Sequence, residues 1–365
     1  MQVKWRVRLS IGIAGMAIGA SMLSAQTPTG PARPTVKADG TVQVPAFELP
    51  PSNLASKEAG DGLRAAASLK QAAGAFPNSI ADARKAIDAV LAPMVSMMSS
   101  RYPVDIKEDR IAGVPVRVFT PRDKPFAKDK ILINLHGGGF SLCFDACSRL
   151  ESIPVASVGG YKVVSVDYRM APEFKHPAAL MDSVSVYREL LKRYKPQQIG
   201  IYGCSAGGSL TAQTASWLAQ KNIPQPAAIG IFGAGAAPFR TGDSAYVAGY
   251  IDGNFPPPSP TRDDDVFKAL TFDYFGSADL RDETISAALH PAVIAKFPPS
   301  LIITGSRATD MSPALVTNNA LLNAGVESTL IVGEALGHCY LYGSNLPESR
   351  QTYGVIARFF KKHLR

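Results

Sequence analysis

The pentapeptide Gly203-Cys204-Ser205-Ala206-Gly207 sets a serine between glycines, after an apolar run (Gln198 to Tyr202) and before a helix-forming one (Ser209 to Lys221). In that strand–turn–helix context, G-x-S-x-G is a nucleophile elbow. The turn is sharp, so bulky neighbours are excluded, and it lifts a hydroxyl to the carboxyl edge of a sheet beside a backbone N–H. About 70 residues earlier, His136-Gly137-Gly138-Gly139 closes another apolar run, Ile131 to Leu135. A glycine-rich bend lets the backbone approach a reacting carbonyl and turn N–H groups toward its oxygen. The two motifs in this order point to a serine hydrolase.

A serine hydroxyl is a weak nucleophile near neutral pH and needs an adjacent base, oriented in turn by a third group. The chain has five histidines. His136 belongs to the glycine bend, His363 lies in the C-terminal tail, and His176 and His290 each precede a proline. His338 follows Gly337 in a loop after the apolar run Ser328 to Val332. Where this elbow occurs, the order along the chain is nucleophile, acid, base, so His338 is the expected base. The acid belongs in the loop after Leu301 to Thr304, where Asp310 is the only carboxylate. It would hold the imidazole tautomer and stabilise the imidazolium. The plainer role for Asp310 is a helix N-cap before Pro313 to Ala324, and Glu334 is the fallback acid. Backbone N–H groups of Gly137, Gly138 and Ala206 are the expected oxyanion-hole donors, with His136 fixing the bend by hydrogen bonds.

At 365 residues, with 46% hydrophobic and 8% aromatic content, the chain can bury a full core. The net charge is +8, and three of those charges (Lys4, Arg6, Arg8) sit in the first 25 residues. They precede an apolar, Gly/Ala-rich stretch from Leu9 to Leu23, with Ala25 as a small residue at its end. This reads as a secretory signal peptide and implies an exported, periplasmic or secreted protein; an uncleaved anchor is the alternative. No membrane span is expected after its removal. The remaining basic residues are scattered, without a stripe interleaved with aromatics, so nucleic acid is not an expected partner. Four cysteines without histidine clusters give no metal site, and no cofactor is implied. Cys143 and Cys147 can bridge if the loop holding them is not extended, whereas Cys204 and Cys339 read as small buried packing residues.

The elements that must position these groups follow from periodicity. Residues 26–55 are rich in Pro, Thr and Gly and read as an extended, poorly ordered lead-in. Residues 56–100 are Ala-rich and helical, interrupted near Gly74 and Pro77, and 101–365 carry the catalytic pieces. Val104 to Phe119 reads as a β-hairpin. Apolar strands then alternate with amphipathic helices, such as Ala178 to Tyr194 with Leu180, Val184, Tyr187, Leu191 and Tyr194 on one face. The class is α/β, a mostly parallel sheet of about eight strands covered on both faces. Between 238 and 297 the alternation breaks at Phe255-Pro256-Pro257-Pro258 and Asp263-Asp264-Asp265, an insertion suited to a cap over the site.

His136-Gly137-Gly138-Gly139-Phe140, Tyr168-Arg169-Met170-Ala171-Pro172-Glu173 and Gly203-Cys204-Ser205-Ala206-Gly207-Gly208 together resemble the hormone-sensitive lipase-like branch of the α/β-hydrolases. The resemblance runs from about Val116 to the C-terminus. It implies a cap with an N-terminal contribution and cofactor-free hydrolysis, with Ser205 as nucleophile, His338 as base and Gly137, Gly138 and Ala206 as oxyanion donors. The chain departs from that branch at Cys204, where Asp is usual. It departs again at Ala308, which stands where the acid usually falls, two residues before Asp310. The expectation is therefore a serine carboxylic ester hydrolase for short acyl esters, with a small-molecule ester as partner. Lactone or amide hydrolysis on the same groups, or a non-catalytic binding role, are the alternatives.

Overall fold

The computed structural model describes residues 33–72, 79–251, 257–258, 268–269 and 271–365. The stretch expected to be a signal peptide lies outside these residues, as does most of the Pro-rich and acidic run 255–265. The chain divides into two compact units at Pro50. In the first, β1 (Thr35–Val36) pairs antiparallel with β2 (Val42–Gln43). The lead-in expected to be extended thus contains a small hairpin, because Asp39-Gly40 makes its turn: Gly40 has φ +84° and the Asp39 carboxylate accepts the Thr41 N–H.

In the second unit the expected hairpin is β3 (Val104–Ile111) against β4 (Val114–Pro121). The strands β5 (Ala127–Leu135), β6 (Tyr161–Val166), β7 (Ile199–Cys204), β8 (Ala228–Phe232), β9 (Ser300–Gly305) and β10 (Ser328–Gly333) follow. They form one eight-stranded sheet of order β10-β9-β8-β7-β5-β6-β4-β3, parallel from β10 to β6 and antiparallel at β4 and β3. Side-chain alternation between two covered faces explains why β7, β8 and β9 are buried along their whole length. Ile131, Ile133 and Leu135 enter one core layer, while Leu132 enters the other. Ile201 and Tyr202 divide in the same way.

Among the described residues the α-helices are α1 (Lys57–Ala72), α2 (Ile80–Arg101), α3 (Phe144–Gly159), α4 (Ala178–Leu190), α5 (Ala206–Gln220), α6 (Asp243–Ile251), α7 (Pro291–Ile294), α8 (Met311–Asn323) and α9 (Pro347–His363). α4, α5 and α8 cover one face of the sheet, and α3 and α9 the other. Each fully buried Leu or Ile in these layers contributes roughly 2 kcal/mol through lost apolar exposure. α3 starts at Phe144, directly after the glycine bend. Its first turn is closed by a Cys143–Cys147 disulfide with Cα atoms 5.3 Å apart, so the loop there is not extended.

The chain leaves β5 for β6 on one side and later returns to place β7 on the other. At such a switch point the connections diverge and leave a crevice beyond the carboxyl ends of the strands. The His136 bend follows β5 and Ser205 follows β7, so both motifs meet at that crevice.

Candidate active site

Ser205 adopts φ 59° and ψ −124°, a left-handed conformation that costs an L-residue about 1–3 kcal/mol. The surrounding packing holds it there. The Ser205 N–H donates to Phe232 O at 2.8 Å, and α5 begins immediately against β5. A Cβ on Gly207 would lie 1.7 Å from Leu135 O, which is why a glycine follows at this distance from the serine.

His338 Nε2 lies 2.9 Å from Ser205 Oγ, and His338 Nδ1 lies 2.5 Å from Asp310 Oδ1. With Nδ1–H donating to the carboxylate, Nε2 carries the lone pair that receives the serine hydroxyl. Asp310 is fully buried, and its second oxygen accepts from Thr304 Oγ1 at 2.6 Å. Asp310 occupies the N-cap position of α8, but its side chain makes no capping bond. Two consecutive tight turns, Ala308 N–H to Gly305 O and Met311 N–H to Ala308 O, carry the backbone past the usual acid position and bring Asp310 to the imidazole. Ala308 itself is buried beside them. Glu334, the fallback acid, instead accepts from Ser52 Oγ at 2.8 Å in an exposed setting.

Two expectations need correction. The first concerns Gly137, expected as an oxyanion donor. Its N–H donates to the Glu151 carboxylate at 2.8 Å, and so it is not available to a substrate oxygen. Gly138, Gly139, Ser205 and Ala206 line the cavity, and Gly137 does not. Among the described residues the Gly138, Gly139 and Ala206 amides have no acceptor. The donor set available is therefore Gly138, Gly139 and Ala206. Gly138 has φ +112°, and a Cβ there would lie 2.1 Å from Leu142 O, so the bend requires glycine at its centre. The second concerns Cys204 and Cys339, expected as small buried packing residues. They are disulfide-bonded, with Cα atoms 6.3 Å apart. Cys204 precedes Ser205 and Cys339 follows His338, so bringing Ser205 to His338 also brings the two thiols within bonding range.

The residue that sequence reading missed is Glu151, buried in α3. Its Oε1 accepts from Gly137 N at 2.8 Å and Tyr342 Oη at 2.7 Å; its Oε2 accepts from Asn134 Nδ2 at 2.8 Å and Cys204 N at 3.1 Å. One carboxyl thus ties the glycine bend, the nucleophile elbow and the segment after His338 together. Burial, outweighing these hydrogen bonds, pushes it up from 4.5 to about 7. The only local signal is a carboxylate set in α3 between Leu150 and Ser152, both buried. His136 is neutral, since burial pushes it down to about 4. Its Nδ1–H donates to Gly137 O at 2.6 Å, and its ring stacks on Tyr168, whose hydroxyl donates to His136 O at 2.7 Å. From α2, Arg84 donates to Ser141 O and Ala171 O and pairs with Glu173, fastening the bend to the Tyr168–Glu173 motif.

Ser205 and His338 open into a cavity of about 540 Å³. Its walls are mostly apolar: Ile87 and Leu91 from α2, Leu142 from the bend, and Phe239, Phe275 and Ile285 from the region between β8 and α7. That volume suits a small-molecule ligand. Among the described residues no group of three or more His, Cys, Asp or Glu is placed to hold a metal ion, and no helix is long and apolar enough to cross a membrane.

Residues 132–342 match a family model described as alpha/beta hydrolase fold, which covers more than half of the chain. The chain belongs to the α/β-hydrolase fold family. It is 33% identical over 139 residues to the versiconal hemiacetal acetate esterase stcI of Emericella nidulans, covering 36% of this chain and 47% of that protein. It is 34% identical over 115 residues to the carboxylesterase NlhH of Mycobacterium tuberculosis, covering 28% and 34% respectively. The chain spans less than half the length of these curated relatives. A crystal structure of an esterase, E25, superposes with a TM-score of 0.76 at 28% identity, covering 88% of this chain and 99% of that one.

Proposed function

We propose that this protein is a serine carboxylic ester hydrolase of the hormone-sensitive lipase-like branch, acting on small acyl esters through an acyl-enzyme. The observation carrying the reading is the unbroken chain Ser205 Oγ–His338 Nε2 at 2.9 Å and His338 Nδ1–Asp310 at 2.5 Å, opening into a mostly apolar cavity. Ser205 Oγ attacks the ester carbonyl while its proton passes to His338 Nε2. The negative oxygen that develops is held by the amides of Gly138, Gly139 and Ala206; one such donor is commonly worth about 3 kcal/mol in the transition state. The leaving alkoxide takes the proton from His338, and water, activated by the same imidazole, releases the acid. Asp310 keeps the tautomer and is itself held by Thr304. The carboxylesterase and acetate esterase named above, matched over part of their length, support the ester class.

Hydrolysis of p-nitrophenyl acetate and butyrate tests the reading, with fluorophosphonate labelling alongside. Turnover and labelling that vanish in Ser205→Ala are expected; equal rates in the variant would remove the assignment. The same reading has the protein exported. Two disulfides support an oxidising compartment, and fractionation of the expressed chain with detection of its mature N-terminus tests that.

A further inference from the structure

Among the polar side chains that line the cavity, Ser209, Gln213 and Thr271 take no part in the chemistry above, and of these Gln213 carries the primary amide. Ser205, Ser209 and Gln213 are spaced four apart along α5, so they lie one above another on a single helix face, and all three line the cavity. At 1.5 Å per residue, Gln213 stands roughly 12 Å along the helix axis from the nucleophile. It is 1% exposed, and among the described residues neither Nε2 nor Oε1 has a hydrogen-bond partner. The wall beside it is built by the segment near residues 280–285. That segment is pinned to the same helix where Ser216 Oγ donates to Glu283 O and Gln220 Nε2 donates to Thr284 Oγ1. Leu280 and Ile285 from this segment line the cavity as well.

A buried primary amide with both ends unpaired is unfavourable in a dry pocket and favourable once a matching group arrives. It also imposes selectivity. A site built to hydrogen-bond a substrate group rejects the analogue lacking it far more strongly than an apolar wall rejects an extra methylene, because the site's own polar atoms are then left unpaired. We propose that Gln213 is a specificity-determining residue, and that the substrates are esters whose longer limb carries a hydroxyl or amide group reaching it. Such a group offers the acceptor and donor that complement Nε2 and Oε1. This rests on the ester hydrolase reading and narrows it from alkyl esters to functionalised ones.

Two matched series test it on the full chain. One is p-nitrophenyl alkanoates from butanoate to decanoate, each beside its ω-hydroxy and ω-carboxamide counterpart. The other is acetates of the corresponding alcohols, with and without the same terminal groups. The readout is the ratio of kcat/KM, functionalised over plain, at each chain length. For wild type this ratio peaks in one series at about tenfold or more, at the length that spans from Ser205 to Gln213. Gln213→Leu and, as a shape-conserving second variant, Gln213→Met lower that peak to about one. Ratios that are flat in both series for wild type, or unchanged in both variants, overturn the inference while fluorophosphonate labelling of Ser205 leaves the hydrolase reading standing. A wild-type chain that neither labels nor turns over any ester brings down the hydrolase reading, and this inference with it.

Discussion

Replacing Glu151 by Gln keeps its volume and one of its acceptor oxygens but exchanges the other for an amide donor. All four of its present partners donate: Gly137 N, Cys204 N, Asn134 Nδ2 and Tyr342 Oη. The Tyr342 hydroxyl can rotate and accept, and so the new amide is best accommodated at the Oε1 position. The Gly137 N–H then faces a donor instead of an acceptor. Leaving one buried N–H unpaired costs about 1–3 kcal/mol, relieved only by moving the glycine bend. If that bend carries the oxyanion donors, the loss falls on the transition state. The expectation is a kcat lowered about 5- to 150-fold, with KM little changed. Stability makes a second readout. Glu151 is raised from 4.5 to about 7 when folded, so the native state holds its proton more tightly than the unfolded chain does. The associated stability, about 3 kcal/mol as an order of magnitude, is present below pH 4.5 and is lost as the pH rises through 7. Glutamine does not titrate. Melting temperatures of wild type and Glu151→Gln should therefore converge as pH rises from 5 to 8. Unchanged kcat on p-nitrophenyl butyrate, together with parallel melting curves across that range, would refute the argument.

Asp310→Asn should leave the fold intact but stabilise the wrong imidazole tautomer, lowering kcat about 10⁴-fold; a loss under tenfold on p-nitrophenyl acetate would return Asp310 to a capping role. Reduction of Cys204–Cys339 by a dithiol frees a closed loop with a sequence separation of 135 residues, worth about 4–5 kcal/mol by chain entropy. Both the melting temperature and esterase activity should fall on reduction and return on reoxidation, as followed by free-thiol titration beside the rate. Gly138→Ala should cost more activity than Gly137→Ala, since φ at Gly138 is +112° and its methyl would lie 2.1 Å from Leu142 O, whereas a methyl at Gly137 meets the Tyr342 hydroxyl at 2.7 Å. Comparing fluorophosphonate labelling rates of the two variants, each normalised to its folded fraction, checks the order.

What was legible in the chain was local. The strand–turn–helix around Ser205 is visible because the motif, the apolar run before it and the helical run after it are contiguous. His338 stood out because the other four histidines were each accounted for nearby. The largely apolar character of 131–135 and 199–204 already pointed to a sheet covered on both faces. Asp310 was harder: its distance from the end of β9 departs from the usual spacing, and two backbone turns absorb the difference.

The amino-acid sequence alone determined the order of elements, the nucleophile motif and the parallel α/β class, because periodicity and turn chemistry act over a few residues. Only the tertiary structure decided where the Gly137 amide points, that Glu151 ties two motifs together, that Cys204 and Cys339 are bonded, and that Gln213 lines a cavity with its buried amide unmatched. Each of these depends on groups separated along the chain meeting in a particular orientation. Hydrogen bonding at close range depends on that orientation more than on residue type, and no local pattern encodes it.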